Sequence, residues 1–347
     1  MFIKKIVSAS IFTIFVSVSA FSQNNEMANE DSKIEETAES QIAADTRLAF
    51  PEIWGYVMTG RENEFNPDYP ITDVGYFISA VNTFSDIPKV PEKAKYFSNY
   101  GGKVHLVTSC DSKSQTHLLL DPKLSLRNKI IKQLIEASKT YDGLQIDWEL
   151  VPADDWENYF NFLKILKKKL RKGQTLSVAI SARVKTLEKD AYDYARLSKV
   201  ADKIIIMAYD QHWSTSAPGP IASPTWGTRI FNYAKDIIPE EKLVFGAPFY
   251  SRAWTNEDIG AKAWKNRSVE NLLEENKVQP KDILTDEEGN KYFKLKKERT
   301  ITVYFDDTET SVNRLKVYKD IGINRIAFWR VGQENEDFWE NLKIELK

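Results

Sequence analysis

Short apolar stretches recur along the chain from about Phe50, and amphipathic stretches separate them. Eight of the apolar stretches have the length of a β-strand: residues 53–58, 73–81, 103–109, 143–150, 175–182, 203–210, 242–250 and 325–331. Three of the segments between them repeat apolar positions at helical spacing: residues 126–139, 154–172 and 308–322. Strands that are almost entirely apolar and are separated by helices are typical of a parallel sheet covered on both faces. Eight such units over about 300 residues predict a closed (β/α)8 barrel.

Two segments depart from this alternation. The connection between the first two strands, "TGRENEFNPDYPIT", shows no clear helical pattern. Residues 254–303 are too many for a connection, and they contain a turn signal, "DEEGN", followed by a short strand, "KYFKL". We therefore predict a small α+β insertion after strand seven. An open, doubly wound sheet is the competing architecture, but it would need a glycine-rich phosphate-binding turn after an early strand, and the sequence has none.

The N-terminal residues predict export. Residues 1–22 begin with a short basic segment, continue as an apolar run that is short for a membrane span, and end with small residues, as a secretory signal peptide does. Residues 23–47 are acidic and lack hydrophobic periodicity, which predicts a disordered spacer before a catalytic domain at 48–347. Cys110 is the only cysteine, so no intramolecular disulfide can form. We expect a periplasmic or secreted protein whose core is large enough to fold without one.

Charge and composition narrow the function classes. The chain has 48 basic and 50 acidic residues, a net charge of −2 and no basic stripe, which argues against a nucleic-acid-binding function. Its 9 Trp, 15 Tyr and 18 Phe fit either a large core or stacking platforms for a ligand with flat apolar faces, such as a sugar ring. His105, His117 and His212 are not spaced as metal ligands, so we predict neither a metal nor a cofactor.

The stretch "YDGLQIDWEL" (141–150) places carboxylates in a predicted barrel strand. Side chains alternate along a strand, so the apolar positions 144, 146, 148 and 150 face the helices, while Gln145, Asp147 and Glu149 face the barrel interior. Glu149 then lies at the C-terminal rim, where barrel enzymes have their active sites. Two close carboxyl groups in a confined site repel each other, and one of them keeps its proton near neutral pH. The alternative is a polar layer with satisfied hydrogen bonds and no chemistry.

A proton donor beside a second carboxylate is typical of glycoside hydrolases, but the sequence shows no obvious carboxylate nucleophile beside them. The stretch "DGLQIDWE" (142–149) resembles the D-G-x-D-x-D-x-E signature of glycoside hydrolase family 18, the chitinase-type enzymes, on barrel strand four. Three further segments resemble the ends of strands six, seven and eight of that family: "MAYD" (207–210), "FGAPFYSRAW" (245–254) and "IAFWRVGQENE" (326–336). Together the resemblance covers residues 50–345.

The resemblance implies a retaining mechanism in which the 2-acetamido group of the substrate replaces the missing nucleophile. Glu149 would protonate the glycosidic oxygen and later act as the base. Asp147 would hydrogen-bond the acetamido N–H and stabilise the positive charge of an oxazolinium-like intermediate, while Tyr209 would hold the acetamido oxygen. Asp210 would contact the sugar or a water molecule, and Trp329 occupies the position of the sugar-stacking tryptophan of the family.

Several other side chains are candidates for substrate binding, each weighed against ordinary packing. Met207 shares a strand face with Tyr209, so it is a candidate wall of the site or a core residue. The candidate rim contacts are Tyr56, Phe77, Tyr250 and Arg252, and Gln145 is a further candidate substrate contact.

Two positions of the signature need separate treatment. Gln145 stands where the family pattern has a second Asp; it can hydrogen-bond Asp147 but cannot carry a charge, which puts the pH profile known for the full acid pattern in doubt. Asp142 is out of phase with positions 145, 147 and 149, so we expect it to fix the entry of the strand by hydrogen bonding and not to contact substrate.

The resemblance implies that the partner is an N-acetylglucosamine-containing polysaccharide or oligosaccharide, and we expect a monomer with no membrane attachment once the signal is removed. The segment "MAYDQHWSTSAPGPIASPTW" (207–226) resembles the bacterial branch of the family with spore-cortex-lytic and peptidoglycan-directed glucosaminidases. Peptidoglycan and chitin-type oligosaccharides are therefore both candidate substrates. Two alternatives stay open: a lectin-like barrel that binds N-acetylated sugar without cleaving it, and an endo-β-N-acetylglucosaminidase acting on N-glycans.

Overall fold

The computed structural model describes residues 46–255, 261–296 and 300–345. One compact unit begins at Arg47. The predicted signal peptide and nearly all of the predicted spacer lie outside the described residues. Every helix in the described ranges is too short or too polar to cross a bilayer.

The described chain contains fifteen strands and eight α-helices. The strands are β1 (Leu48–Phe50), β2 (Glu52–Met58), β3 (Asp73–Phe77), β4 (Lys103–Ser109), β5 (Gly143–Asp147), β6 (Thr175–Ser181), β7 (Lys203–Met207), β8 (Leu243–Pro248), β9 (Tyr250–Thr255), β10 (Lys262–Lys265), β11 (Leu284–Thr285), β12 (Lys291–Lys296), β13 (Thr300–Phe305), β14 (Arg325–Trp329) and β15 (Leu342–Ile344). The helices are α1 (Lys93–Phe97), α2 (Lys113–Leu120), α3 (Ser125–Ala137), α4 (Trp156–Lys169), α5 (Tyr194–Leu197), α6 (Pro224–Ala234), α7 (Asn266–Glu275) and α8 (Thr308–Asp320). Short 3-10 turns lie at Glu62–Glu64, Ala153–Asp155, Glu240–Lys242, Pro280–Asp282 and Phe338–Asn341.

Eight parallel strands close into a barrel, which confirms the predicted fold class. Their order is β14-β2-β3-β4-β5-β6-β7-β8, and β14 pairs with both β8 and β2 to close the ring. The short strands β1 and β15 pair separately as a parallel ribbon. All eight predicted strands are present, and the helices predicted at 126–139, 154–172 and 308–322 correspond to α3, α4 and α8.

The core has an inner and an outer layer. The inner layer fills the barrel with the side chains of Trp54, Tyr56, Phe77, Val107, Ile205, Val244 and Ala327. The outer layer lies between the strands and the helices, and it contains the three residues of β5 and its end that were predicted to face the helices: Leu144, Ile146 and Trp148. The fourth prediction was wrong, because Leu150 is 37% exposed. Strand β5 ends at Asp147, so strand alternation no longer sets the direction of a side chain three residues later.

The predicted α+β insertion after strand seven is also present. It is an antiparallel five-stranded sheet in the order β10-β9-β13-β12-β11, with α7 between β10 and β11. Its own small core contains Val269 of α7 and four sheet residues, Phe293, Leu295, Val303 and Phe305. The sheet begins at Tyr250, four residues before the predicted boundary, because the seventh barrel strand ends at Pro248, a residue that cannot donate to the ladder.

Candidate active site

A pocket of about 390 Å³ opens at the C-terminal end of the barrel strands, where they meet the insertion. Its walls combine charged, hydroxyl and aromatic side chains, as expected of a binding site for a polar ligand with apolar faces. The lining residues are Met58, Phe77, Ser109, Asp111, Asp147, Glu149, Met207, Tyr209, Asp210, Tyr250, Arg252, Ala263, Trp329 and Gln333.

The two carboxylates of the fourth barrel strand both reach this pocket. Asp147 is the last residue of β5, and Glu149 follows two residues later. Between them, the fully buried Trp148 stacks on Phe162 of α4 with ring centroids 5.0 Å apart. The Tyr192 hydroxyl donates to the Trp148 carbonyl at 2.7 Å and accepts from the backbone N–H of Val151 at 3.1 Å. These contacts hold the chain on both sides of Glu149, so its side chain is presented from a fixed backbone.

Both carboxyl groups have raised pKa values. Burial is the largest cause for Asp147, and the charges of Glu149 and Asp111 add to it, raising its pKa to about 8. Asp147 is only 7% exposed, and its Oδ1 has no hydrogen-bond partner in the described part of the protein. The pKa of Glu149 is also raised, first by loss of hydration and then by the charges of Asp210 and Asp111. The Glu149 residue is exposed, and it lines the pocket together with Asp147 and Asp210. The pair can therefore hold a proton near neutral pH.

The end of β7 supplies the opposite wall. Met207, Tyr209 and Asp210 all line the pocket. The Asp210 carboxylate accepts from the Tyr250 hydroxyl at 2.6 Å and from the Arg252 guanidinium at 2.5 Å. Asp210 has a backbone φ of 60°, in the left-handed region that non-glycine residues seldom adopt, and the two contacts from β9 hold it there.

The aromatic floor comes from β14 and β3. Trp329, the last residue of β14, is half-buried in the pocket, with its ring 5.2 Å from Phe77 and 5.5 Å from Tyr56. The peptide bond that follows it, Trp329–Arg330, is cis. The exposed part of the indole offers an apolar face inside a polar pocket, which suits stacking against a sugar ring.

The structure corrects the predicted positions of two residues. Tyr56 was predicted at the rim and Gln145 among the substrate contacts, but both are buried beneath the pocket and neither lines it. The Tyr56 hydroxyl donates to Gln145 Oε1 at 2.8 Å. Strand alternation gave the correct side of the sheet for both residues, but it does not give their depth below the opening. Asp142 lies at the other end of β5, where its carboxylate accepts from Lys93 Nζ at 2.5 Å and from the backbone N–H of Val104 at 2.9 Å.

Sequence reasoning missed five pocket residues: Met58, Ser109, Asp111, Ala263 and Gln333. Ser109 and Asp111 follow the third barrel strand, and the pairing of β4 with β5 sets Ser109 opposite Asp147. A carboxylate two residues after an apolar strand was a usable signal for Asp111, since such a position belongs to the active face of a barrel.

Each of the three histidines has a different hydrogen-bond partner. His105 contacts Asp73, His117 contacts Asp155, and His212 contacts the carbonyl of Pro220. Across residues 46–255, 261–296 and 300–345, no three His, Cys, Asp or Glu side chains are grouped to hold a metal ion.

The Tyr56–Gln145 hydrogen bond yields a stability prediction. Replacing Tyr56 by Phe leaves the buried Gln145 Oε1 without its donor, so we expect the free energy of unfolding to fall by about 1–3 kcal/mol in urea titrations. Tyr159→Phe is the matched control, because the buried Tyr159 hydroxyl has no hydrogen-bond partner among the described residues. We expect that change to be neutral or stabilising. Equal losses in the two variants would contradict the assigned hydrogen bond.

Comparison with known proteins connects this geometry to a family. A family model described as "Glycosyl hydrolases family 18" matches residues 52–334. The uncharacterized glycosylase YvbX of Bacillus subtilis is 26% identical over 227 residues, which are 62% of this chain and 65% of that protein. The cortical fragment-lytic enzyme of Bacillus anthracis is 25% identical over 239 residues, which are 64% of this chain and 55% of that protein. The chain thus spans less than two thirds of the length of these two relatives.

A solved structure shares the fold. The crystal structure of the Bacillus cereus spore cortex-lytic enzyme SleL matches with a TM-score of 0.75 and 22% sequence identity, over 86% of this chain and 76% of that chain. At this level of identity, the match supports the barrel architecture.

Proposed function

Because the chain belongs to family 18 of the glycosyl hydrolases, we propose that it hydrolyses β-1,4 glycosidic bonds on the reducing side of N-acetylglucosamine, with retention of configuration. The observation that carries the proposal is the meeting of Asp147, Glu149, Tyr209 and Trp329 in one pocket. That set contains a proton donor, an acceptor for an amide N–H, a hydroxyl donor and an apolar platform.

In the proposed first step, Glu149 gives its proton to the glycosidic oxygen as the bond from that oxygen to the anomeric carbon breaks. The carbonyl oxygen of the 2-acetamido group forms the new bond to the anomeric carbon, which leaves a positively charged oxazolinium ring. The Asp147 carboxylate accepts a hydrogen bond from the acetamido N–H and stabilises this charge, and the Tyr209 hydroxyl donates to the acetamido oxygen. In the second step, Glu149 removes a proton from water as the water attacks the anomeric carbon and reopens the ring.

The proposal requires the Asp147–Glu149 pair to hold one proton before reaction. Two mutually repelling carboxyl groups in a poorly hydrated site behave in this way, because ionising the first makes ionising the second less favourable. The raised pKa values of both groups support this state at neutral pH. With substrate bound, the positive charge that develops on the acetamido group favours ionised Asp147 and leaves the proton on Glu149.

The substrate we propose is peptidoglycan or a chitin-type oligosaccharide. In the proposed complex, a sugar ring stacks on Trp329, and Phe77 and Met207 lie in the same pocket. The name of the cortical fragment-lytic relative supports the peptidoglycan choice. The proposal includes a signal peptide at residues 1–22, a spacer at 23–47 and a monomeric catalytic domain at 48–347 that acts on the polymer after export.

The test is product analysis on matched substrates. Purified protein is incubated with chitooligosaccharides, with the same oligosaccharides after chemical de-N-acetylation, with purified peptidoglycan and with an N-glycan, and the products are identified by mass spectrometry. We expect new reducing ends at N-acetylglucosamine from the first or third substrate and none from the de-N-acetylated chains. Tight binding of acetylated sugar without product over long incubation would favour the lectin-like alternative, and cleavage of the N-glycan alone would favour the endo-β-N-acetylglucosaminidase.

A further inference from the structure

Asp111 is a pocket carboxylate two residues after the end of β4, the strand that pairs with β5. The pairing of β4 with β5 sets Ser109 opposite Asp147, and Asp111 and Glu149 each follow two residues later. Both residues line the same pocket, where the charge of Asp111 acts on Glu149. Its side chain is exposed, and within the described residues its carboxylate makes no hydrogen bond or ion pair.

The charges around the catalytic pair come from several elements. The charged or titratable groups that act on Asp147 and Glu149, or are acted on by them, are Tyr56, Asp111, Tyr159, Tyr192, Tyr209 and Asp210, and Arg252 is bonded to Asp210. The tyrosines are neutral, since burial raises their pKa values well above the usual range. Asp210 has the larger effect on Glu149, but Arg252 balances its charge at 2.5 Å. No cation pairs with Asp111 in the part of the chain that the structure describes.

The residue at position 145 makes the negative charge of Asp111 relevant to the catalytic pair. The family signature has a carboxylate there, whereas this chain has Gln145, which is buried and accepts a hydrogen bond from Tyr56. An amide cannot supply negative charge beneath Asp147. We propose that Asp111 is a positioning residue for the shared proton: from the neighbouring strand it supplies negative charge that Gln145 cannot, and so keeps the Asp147–Glu149 pair singly protonated at neutral pH. This inference rests on the proposed function of that pair.

The direction of the effect follows from the sign of the charge. A nearby anion disfavours ionisation, so Asp111 raises the pKa of Asp147 and of Glu149, in addition to the larger effect of burial. Removing the charge therefore lowers both pKa values. Because Asp111 is exposed, salt screens its interaction with the pair more than it screens interactions inside the pocket.

The experiment compares pH profiles of kcat/KM for the wild type, Asp111→Asn, Asp111→Glu and Asp320→Asn. Asp320 is an exposed carboxylate at the C-terminal end of α8, at the opposite end of the barrel from the pocket. We expect Asp111→Asn to move both limbs of the profile to lower pH by about 0.5–1 unit at low salt, and less in 0.5 M NaCl. Asp111→Glu and Asp320→Asn should keep the wild-type profile. A profile of Asp111→Asn that superimposes on that of the wild type would overturn the inference.

A second measurement separates this inference from the proposed function. Protein labelled with ¹³C at its side-chain carboxyl groups is titrated by NMR, and Glu149→Gln and Asp147→Asn identify the two signals. We expect lower titration midpoints for both signals in Asp111→Asn, whether or not any glycan is cleaved. If Asp111→Asn lowers both midpoints while the wild type cleaves no glycan, the role of Asp111 is supported and the proposed function is contradicted. Unchanged midpoints in an active enzyme would do the reverse.

Discussion

Replacing Glu149 by Gln is expected to reduce kcat by about 10²–10⁴-fold, which is the contribution of a positioned general acid. Gln has nearly the same shape but no proton to give to the glycosidic oxygen and no basic oxygen to activate water. Glu149 lies at the pocket wall on a backbone segment held by Trp148 and Tyr192, so the loss should come from chemistry and not from misfolding. KM should change much less than kcat, because the rest of the pocket is intact.

Release of reducing ends from chitooligosaccharide or peptidoglycan measures this loss. Glu136→Gln is the matched control, since Glu136 is an exposed residue of α3 that forms an ion pair with Lys139 at the surface. We expect wild-type turnover from that control. Turnover of Glu149→Gln within a few-fold of the wild type would remove Glu149 from the mechanism.

Replacing Asp147 by Asn is expected to reduce kcat by about 10²–10³-fold, the range found when an electrostatic stabiliser of a transition state is removed. The amide has the size of the carboxyl group, but it cannot balance the positive charge of an oxazolinium ring. Unlike most active-site substitutions, this one should also stabilise the folded protein at alkaline pH.

The stabilising effect follows from the pKa of Asp147. The folded state raises that pKa from 3.8 to about 8, so the folded protein binds this proton more tightly than the unfolded chain does. The resulting stability is fully present below pH 4 and is lost as the pH rises through 8. At pH 8, we expect Asp147→Asn to have a free energy of unfolding about 5 kcal/mol above that of the wild type, because a pKa raised from 3.8 to about 8 corresponds to about 1.4 kcal/mol per pH unit between those values, with no such gain at pH 4. Urea titrations at the two pH values measure the difference, and an equal gain at both would show that the charge is not its cause.

The barrel was predictable from the sequence because its strands are buried on both faces. Runs such as "KIIIMAYD" are apolar for the length of a strand, and segments with helical spacing separate several of these runs, so strand number and order could be predicted directly. The predicted ends of the strands were less accurate. Leu150 and Tyr250 were assigned to strands that end at Asp147 and Pro248, since an apolar residue beyond the last ladder hydrogen bond resembles one inside the strand.

Candidate site residues were predictable from the sequence where they lie together at the end of one strand. Asp147 and Glu149 share a strand end, and the ends of β7 and β14 gave Tyr209, Asp210 and Trp329. Asp111 could not be connected to Glu149 from sequence, because their proximity depends on the register between β4 and β5. Tyr56 and Gln145 were placed too near the opening, because depth inside a barrel depends on strand tilt and stagger.

The central claim is that the acetamido group of the substrate attacks the anomeric carbon after Glu149 has protonated the leaving oxygen. The most direct test is ¹H NMR of the first reducing end released from a chitooligosaccharide or a glycan strand, recorded before mutarotation. Two successive displacements at the anomeric carbon retain its configuration, so we predict that the β-anomer appears first. Initial formation of the α-anomer would mean that water attacks directly, and it would contradict this account.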